Sequence, residues 1–213
     1  MTIPDPIGDA VARVRDGGLI AYPTETVWGL GADACADSAL ERLRRWKGRE
    51  GGEPVSILIA SLDHLAPLGF EVNAQVERLA AEFWPGPLTL VIQCGGRFAQ
   101  GVAREDGAVG VRCSAHPLAD AIARRLHAEG VGPITATSLN LSGRQPARTR
   151  EDAGAVCGDG PDEPWVIGVK EAEAGGDVAS TVVDATGSRP EVLRWGAISA
   201  SELEPVLRAL AAS

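Results

Sequence analysis

Seven apolar runs of three to six residues, rich in β-branched side chains, recur at 19–22, 55–60, 88–92, 109–112, 134–137, 165–169 and 181–183, with amphipathic stretches between them. Runs this short, bounded by turn-forming residues, read as buried strands rather than helices. Strands that alternate with helical stretches must stack in layers, so the pattern predicts an α/β protein. The 213 residues suffice for one such unit. With no internal repeat and no long low-complexity linker, residues 1–213 are expected to form a single domain.

Local signals place three helices. Ser38 and Glu41 stand in a capping-box arrangement, Leu40 and Leu43 share a face, and Gly48 ends the segment, which carries Lys47 to its C-terminal end. Pro117 opens a second helix whose Leu118, Ile122 and Leu126 fall four apart before Gly130. Ser199 and Glu202 form another capping box, opening a terminal helix that buries Leu203, Val206, Leu207 and Leu210. Residues 157–164 and 171–177 are polar and read as loops. The 26 glycines and 14 prolines imply that loops shape much of any site.

Charge and targeting signals narrow the function. A net charge of −9 argues against a general nucleic-acid or anionic-membrane binder, because those partners are held by Lys and Arg; a local basic patch stays open. The N-terminus lacks the basic and apolar segments of a signal peptide, and no apolar run has bilayer length, so the expectation is a cytoplasmic protein with no membrane partner. Cys35, Cys94, Cys113 and Cys157 form no C-x-x-C pair, and His64, His116 and His127 form no H-x-x-x-H pattern; no metal site built by the protein is expected.

Four segments carry polar chemistry. Residues 29–34, GLGADA, match the glycine spacing of a dinucleotide-binding turn, yet a helix starting at Ser38 begins too late to aim its dipole at a pyrophosphate. Walker and G-x-S-x-G patterns are absent. Arg42, Arg44, Arg45, Lys47 and Arg49 concentrate positive charge. The first three read as a solvated helix face. Lys47 stands apart as one of only two lysines, with Lys170, among 20 basic residues. A compact ammonium beside the planar fork of Arg49 suits phosphate oxygens, and compensation of the helix dipole is the competing explanation for Lys47. Residues 135–143, TATSLNLSG, end an apolar strand in hydroxyls and an amide; alternation puts Ser138 and Asn140 on one side, either meeting a nucleotide or closing a turn. Residues 22–28, YPTETVW, follow a strand with hydroxyls and a proline bend, which alone need be only a turn.

Taken together, Y-P-T-E-T-V-W-G-L-G, K-G-R, F-W-P-G-P-L-T-L, V-G-V-R, T-S-L-N-L-S-G and S-T-V-V-D, in this order from about Gly17 to Ser199, resemble the YrdC family of threonylcarbamoyl-AMP synthases, in its short bacterial form. The resemblance implies a twisted mixed sheet flanked by helices around a deep central cavity. It implies a nucleotidyltransferase that makes threonylcarbamoyl-AMP and pyrophosphate from L-threonine, bicarbonate and ATP, the product passing to tRNA-modifying proteins. It also implies Lys47 and Arg49 as catalytic residues, with Ser138, Asn140 and Arg194 joining them at ATP, and Thr26, Arg112 and Ser180 at threonine. Arg112 is expected to hold the threonine carboxylate by paired hydrogen bonds, and Mg²⁺ to enter on the ATP phosphates. Where many relatives carry an asparagine and then a histidine after K-x-R, this chain has Glu53 and Leu58. Two alternatives remain: an RNA-binding module making weak phosphate contacts through the basic cluster, and a paralogue acting on another small acyl acceptor.

Overall fold

The computed structural model describes residues 5–48, 54–160, 162–168 and 173–211. In chain order the described elements are α1 (Pro6–Arg15), β1 (Ile20–Tyr22), β2 (Gly29–Gly31), α2 (Asp37–Lys47), β3 (Ile57–Ile59), α3 (Ala74–Phe83), β4 (Leu88–Gln93), β5 (Ala108–Cys113), α4 (Pro117–Ala128), β6 (Ile134–Thr135), β7 (Thr137–Ser138), α5 (Arg150–Cys157), β8 (Trp165–Val166), β9 (Thr181–Asp184), β10 (Glu191–Arg194) and α6 (Ala200–Ala211). The strands form two mixed sheets, a four-stranded one in the order β7-β2-β1-β8 and a six-stranded one in the order β10-β9-β4-β5-β3-β6. Two apolar clusters form the core: one joins α1 and α4 to β1 and β2 and takes in Leu58 of β3 and Ile134 of β6, and the other joins α3 and α6 to the six-stranded sheet. No helix among the described residues is long and apolar enough to cross a membrane.

The run at 134–137 joins the two sheets. β6 pairs with β3, whereas β7 pairs with β2. Ala136 lies between them, its N–H donating to Ser56 O at 2.7 Å. Thr135 ties the sheets further: its hydroxyl donates to Leu30 O at 2.9 Å and accepts the Ala32 N–H at 3.0 Å.

The G-L-G run is the central β2 strand, antiparallel to β1, and not a nucleotide turn. A Cβ at Gly29 would lie 2.8 Å from Tyr22 Cζ, and one at Gly31 would lie 2.9 Å from Ile20 Cγ1. The missing side chains thus admit the Tyr22 ring, whose hydroxyl crosses between sheets to donate to Thr135 O at 2.9 Å. Burial pushes the Tyr22 phenol well above its usual pKa, which keeps that donor neutral.

Helix starts differ in detail from the sequence reading. α2 begins at Asp37 and is flanked by Ala36, with no side-chain cap, so Ser38 is not the cap. The Asp37 carboxylate instead places negative charge in the first turn and accepts the Gln100 N–H at 2.8 Å. Gly48, at φ +62°, stops the helix immediately after Lys47, as expected. At α4, Pro117 occupies the first turn, and His116 Nδ1 accepts the Leu118 N–H at 3.2 Å. At α6, Glu202 accepts both the Ser199 N–H, at 2.9 Å, and its hydroxyl, at 2.5 Å. The strand expected over 165–169 covers only Trp165–Val166, and residues 169–172 lie outside the described residues.

Gly29→Ala is expected to destabilise the protein by about 1–3 kcal/mol, because the ring packed over β2 must move. A urea midpoint lowered at unchanged slope checks this; an unchanged midpoint would show slack around Tyr22.

Candidate functional site

An open cleft of about 380 Å³ lies between the two sheets. Tyr22, Gly29 and Ser138 line it from the four-stranded sheet, and Leu58, Thr89 and Arg112 from the six-stranded one. At the edge strand β10, the register against β9 shifts between Val192 and Arg194. That bulge lets consecutive residues, Leu193 and Arg194, both reach the cleft.

Arg112 is held by three acceptors. β5 carries it into the interior, where its side chain is 8% exposed. Its Nε donates to Gly86 O at 3.1 Å, and its Nη2 donates to Glu25 Oε1 at 2.8 Å and to Thr26 Oγ1 at 3.1 Å. The second Glu25 oxygen accepts from the Ser114 hydroxyl. Burial opposes ionisation of Glu25, but the Arg112 charge and the bonds from Ser114 and Arg112 prevail, and its pKa falls below the ordinary value. Glu25 and Arg112 are therefore a charged pair.

Beside them, the Ser180 and Thr89 hydroxyls share a 2.8 Å hydrogen bond. Arg194 bonds the Ser180 carbonyl through Nε at 3.3 Å and Nη2 at 3.0 Å, with Nη2 also 3.3 Å from Ser180 Oγ. Burial and repulsion by Arg112 pull its pKa down. Arg194 thus brings a second guanidinium to the same wall, with no ion pair among the described residues.

Across the cleft, α2 and the strand end after β7 meet. Lys47 is 4% exposed, and its ammonium donates to Ser138 O at 2.6 Å and to Asn140 Oδ1 at 3.2 Å. The Ser138 hydroxyl donates to the same Oδ1 at 2.6 Å. Asn140 Nδ2 in turn holds Leu141 O at 3.0 Å and Arg144 O at 2.8 Å, fixing the turn that presents Ser138. The turn closes on the helix through Ser142 N–H to Lys47 O at 2.8 Å.

Of the expected site residues, Thr26, Arg112, Ser138, Ser180 and Arg194 line the cleft. Lys47 and Asn140 join Ser138 at its edge. Arg49 and Glu53 lie outside the described residues. Leu58 lines the cleft in register with Arg112. Arg42 and Arg44 are engaged elsewhere, with Asp162 and Gln100 O, each at 2.7 Å. Arg112 Nη2 serves Glu25 and Thr26, which leaves Nη1 toward a ligand. Sequence reasoning took Thr24 and Glu25 only as part of the 22–28 segment and gave no site role to them or to Thr89. An acidic residue between two threonines is the one local signal for Glu25, and its arginine lies 87 positions away.

Residues 12–196 match the Sua5/YciO/YrdC family model, described as "Telomere recombination". A putative threonylcarbamoyl-AMP synthase of Mycobacterium tuberculosis is 35% identical over 207 residues, covering 97% of this chain and 91% of that protein. Among solved structures, Sua5 of Pyrococcus abyssi complexed with L-threonine is similar with a TM-score of 0.84 at 34% identity. That match covers 97% of this chain and 59% of the Sua5 chain, so this chain spans about three-fifths of that relative's length. YciO of Escherichia coli is similar with a TM-score of 0.74 at 26% identity, covering 94% of both chains.

The lowered Glu25 pKa sets a pH signature. Its stabilisation is present above the unfolded glutamate value of about 4.3 and is lost as pH falls through the lower folded value. Glu25→Gln is expected to cost about 3 kcal/mol near neutral pH by leaving Arg112 uncompensated. It should also flatten the loss of stability below about pH 4.3, read by urea melts across pH; parallel wild-type and variant curves would contradict the pairing.

Proposed function

The chain belongs to the Sua5, YciO and YrdC family, and on that premise we propose that it is a threonylcarbamoyl-AMP synthase acting on L-threonine, bicarbonate and ATP. One observation carries the reading: Lys47 from one motif and Ser138 and Asn140 from another gather at one edge of a cleft whose other wall holds Arg112 and Arg194. The L-threonine bound in the Pyrococcus Sua5 structure supports an amino acid as one occupant.

The chemistry asks for such a wall. The threonine amine takes up carbon dioxide derived from bicarbonate, and the resulting carbamate is an anion. Its oxygen must attack the α-phosphorus of an anionic nucleotide, expelling pyrophosphate. Fixed positive charge offsets that repulsion without reorganisation during reaction. Arg112 Nη1 receives the amino-acid carboxylate. Arg194, held by Ser180 rather than by a carboxylate, receives phosphate charge. Lys47 exchanges one of its present acceptors for a phosphate oxygen beside Ser138, with Arg49 supplying a second cation. No nucleophilic side chain is required, so the rate arises from alignment and preorganised charge.

Mg²⁺ enters with the ATP phosphates. Among the described residues no three His, Cys, Asp or Glu side chains converge to hold a metal, and Glu25 and Asp184 are each engaged by an arginine that lines the cleft. The product is a mixed anhydride, suited to an acyl acceptor in the tRNA-modifying machinery of the cytoplasm.

Lys47→Ala is expected to lower pyrophosphate release in the presence of ATP, L-threonine and bicarbonate about a hundredfold to a thousandfold. Wild-type turnover by the variant would remove Lys47 from the mechanism.

A further inference from the structure

The hydrogen bonds beneath Arg112 have a direction that the donor count fixes. A threonine hydroxyl has one proton to donate and two lone pairs to accept with. Thr24 donates its proton to Val27 O at 2.7 Å. In the 2.8 Å contact between the Thr24 and Thr26 hydroxyls, the proton therefore belongs to Thr26. The Thr26 N–H also reaches Thr24 Oγ1, at 3.2 Å, which fills both lone pairs there. Thr26 Oγ1, its proton committed, accepts from Arg112 Nη2 at 3.1 Å and retains one lone pair. Nε and Nη2 of Arg112 are both engaged, and Nη1 has no hydrogen-bond partner among the described residues. Thr24, Thr26 and Arg112 all line the cleft. It therefore offers a two-proton donor and, beside it, an oxygen that can only accept.

We infer that Thr24 is a positioning residue that locks Thr26 as an acceptor and so orients the amino acid, with the carboxylate on Arg112 Nη1 and the α-amine donating to Thr26 Oγ1. This rests on the reading of the cleft as an amino-acid site and adds the polarity of that site. The polarity suits the reaction. A Thr26 hydroxyl free to donate would bond the nitrogen lone pair, which has to form the new N–C bond; an accepting Thr26 takes an N–H and leaves that lone pair uncovered. Glu25 completes the arrangement by holding Nη2, so that the ligand carboxylate meets Nη1 without displacing the Thr26 contact.

The test compares L-threonine with (R)-3-hydroxybutanoate, which keeps the carboxylate and the β-hydroxyl but lacks the α-amine. Calorimetric titrations to millimolar ligand are run on the wild-type protein, on Thr24→Val, which keeps the side-chain shape and removes the acceptor, and on Thr24→Ser, which restores the hydroxyl. Thr24→Val is expected to weaken L-threonine binding about tenfold, the worth of one buried hydrogen bond, and to shift hydroxybutanoate binding less than about twofold. Thr24→Ser is expected to recover threonine binding. Equal weakening of both ligands, as general damage to the pocket or a contact between the β-hydroxyl and Thr26 would produce, overturns the inference. Unchanged threonine affinity in Thr24→Val, or no recovery in Thr24→Ser, overturns it as well. A wild-type protein that binds no L-threonine would overturn the amino-acid reading itself, and the orientation with it.

Discussion

A guanidinium buried between two sheets has to be compensated, and the cleft is arranged around that requirement. Arg112 comes from the six-stranded sheet, whereas Glu25 and Thr26 come from the β1–β2 connection of the four-stranded one. A buried charge without a partner costs several kcal/mol, so the pair holds the two walls at a fixed spacing as well as satisfying Arg112. Gly86 O, just before β4, closes the third side. What remains of the arginine after this clamping is a single nitrogen, and its direction is already set when a ligand arrives.

Arg194 is held differently, by a carbonyl and a hydroxyl, acceptors that orient a guanidinium without neutralising it. The contacts of Lys47 include a carbonyl and an amide oxygen, at the end of a helix that Gly48 terminates. Local placement therefore dominates the overall balance of −9, because distant surface charges are screened over about 8 Å at physiological salt.

Legibility in the sequence followed how local each determinant is. The runs at 88–92 and 109–112 are the long central strands β4 and β5, and Gly48, Pro117 and Gly130 mark helix ends through backbone preferences that act within a few residues. β2 was hidden because glycine is a poor strand former, and its reason for being there, the Tyr22 ring, belongs to tertiary structure. β10 was hidden because Glu191–Arg194 is a mostly exposed edge strand that packs only Val192 against the core. The division into two sheets follows from Ala136, where a run that reads as one strand changes partners. In the site, the motif residues were visible one by one, and Lys47 does meet Ser138 and Asn140. Glu25 was not, since the charge it balances lies far along the chain, and the polarity of the Thr24 and Thr26 hydroxyls exists only once their neighbours are in place.

The central claim is that this cleft joins a carboxylated amino acid to a nucleotide. Mass spectrometry of the adenylate formed by the purified protein from ATP, L-threonine and ¹³C-bicarbonate tests it most directly. The account predicts an adenylate that contains threonine and one ¹³C atom, and none when threonine is left out. An unlabelled threonyl adenylate, or an adenylate formed equally well with other amino acids, would contradict it.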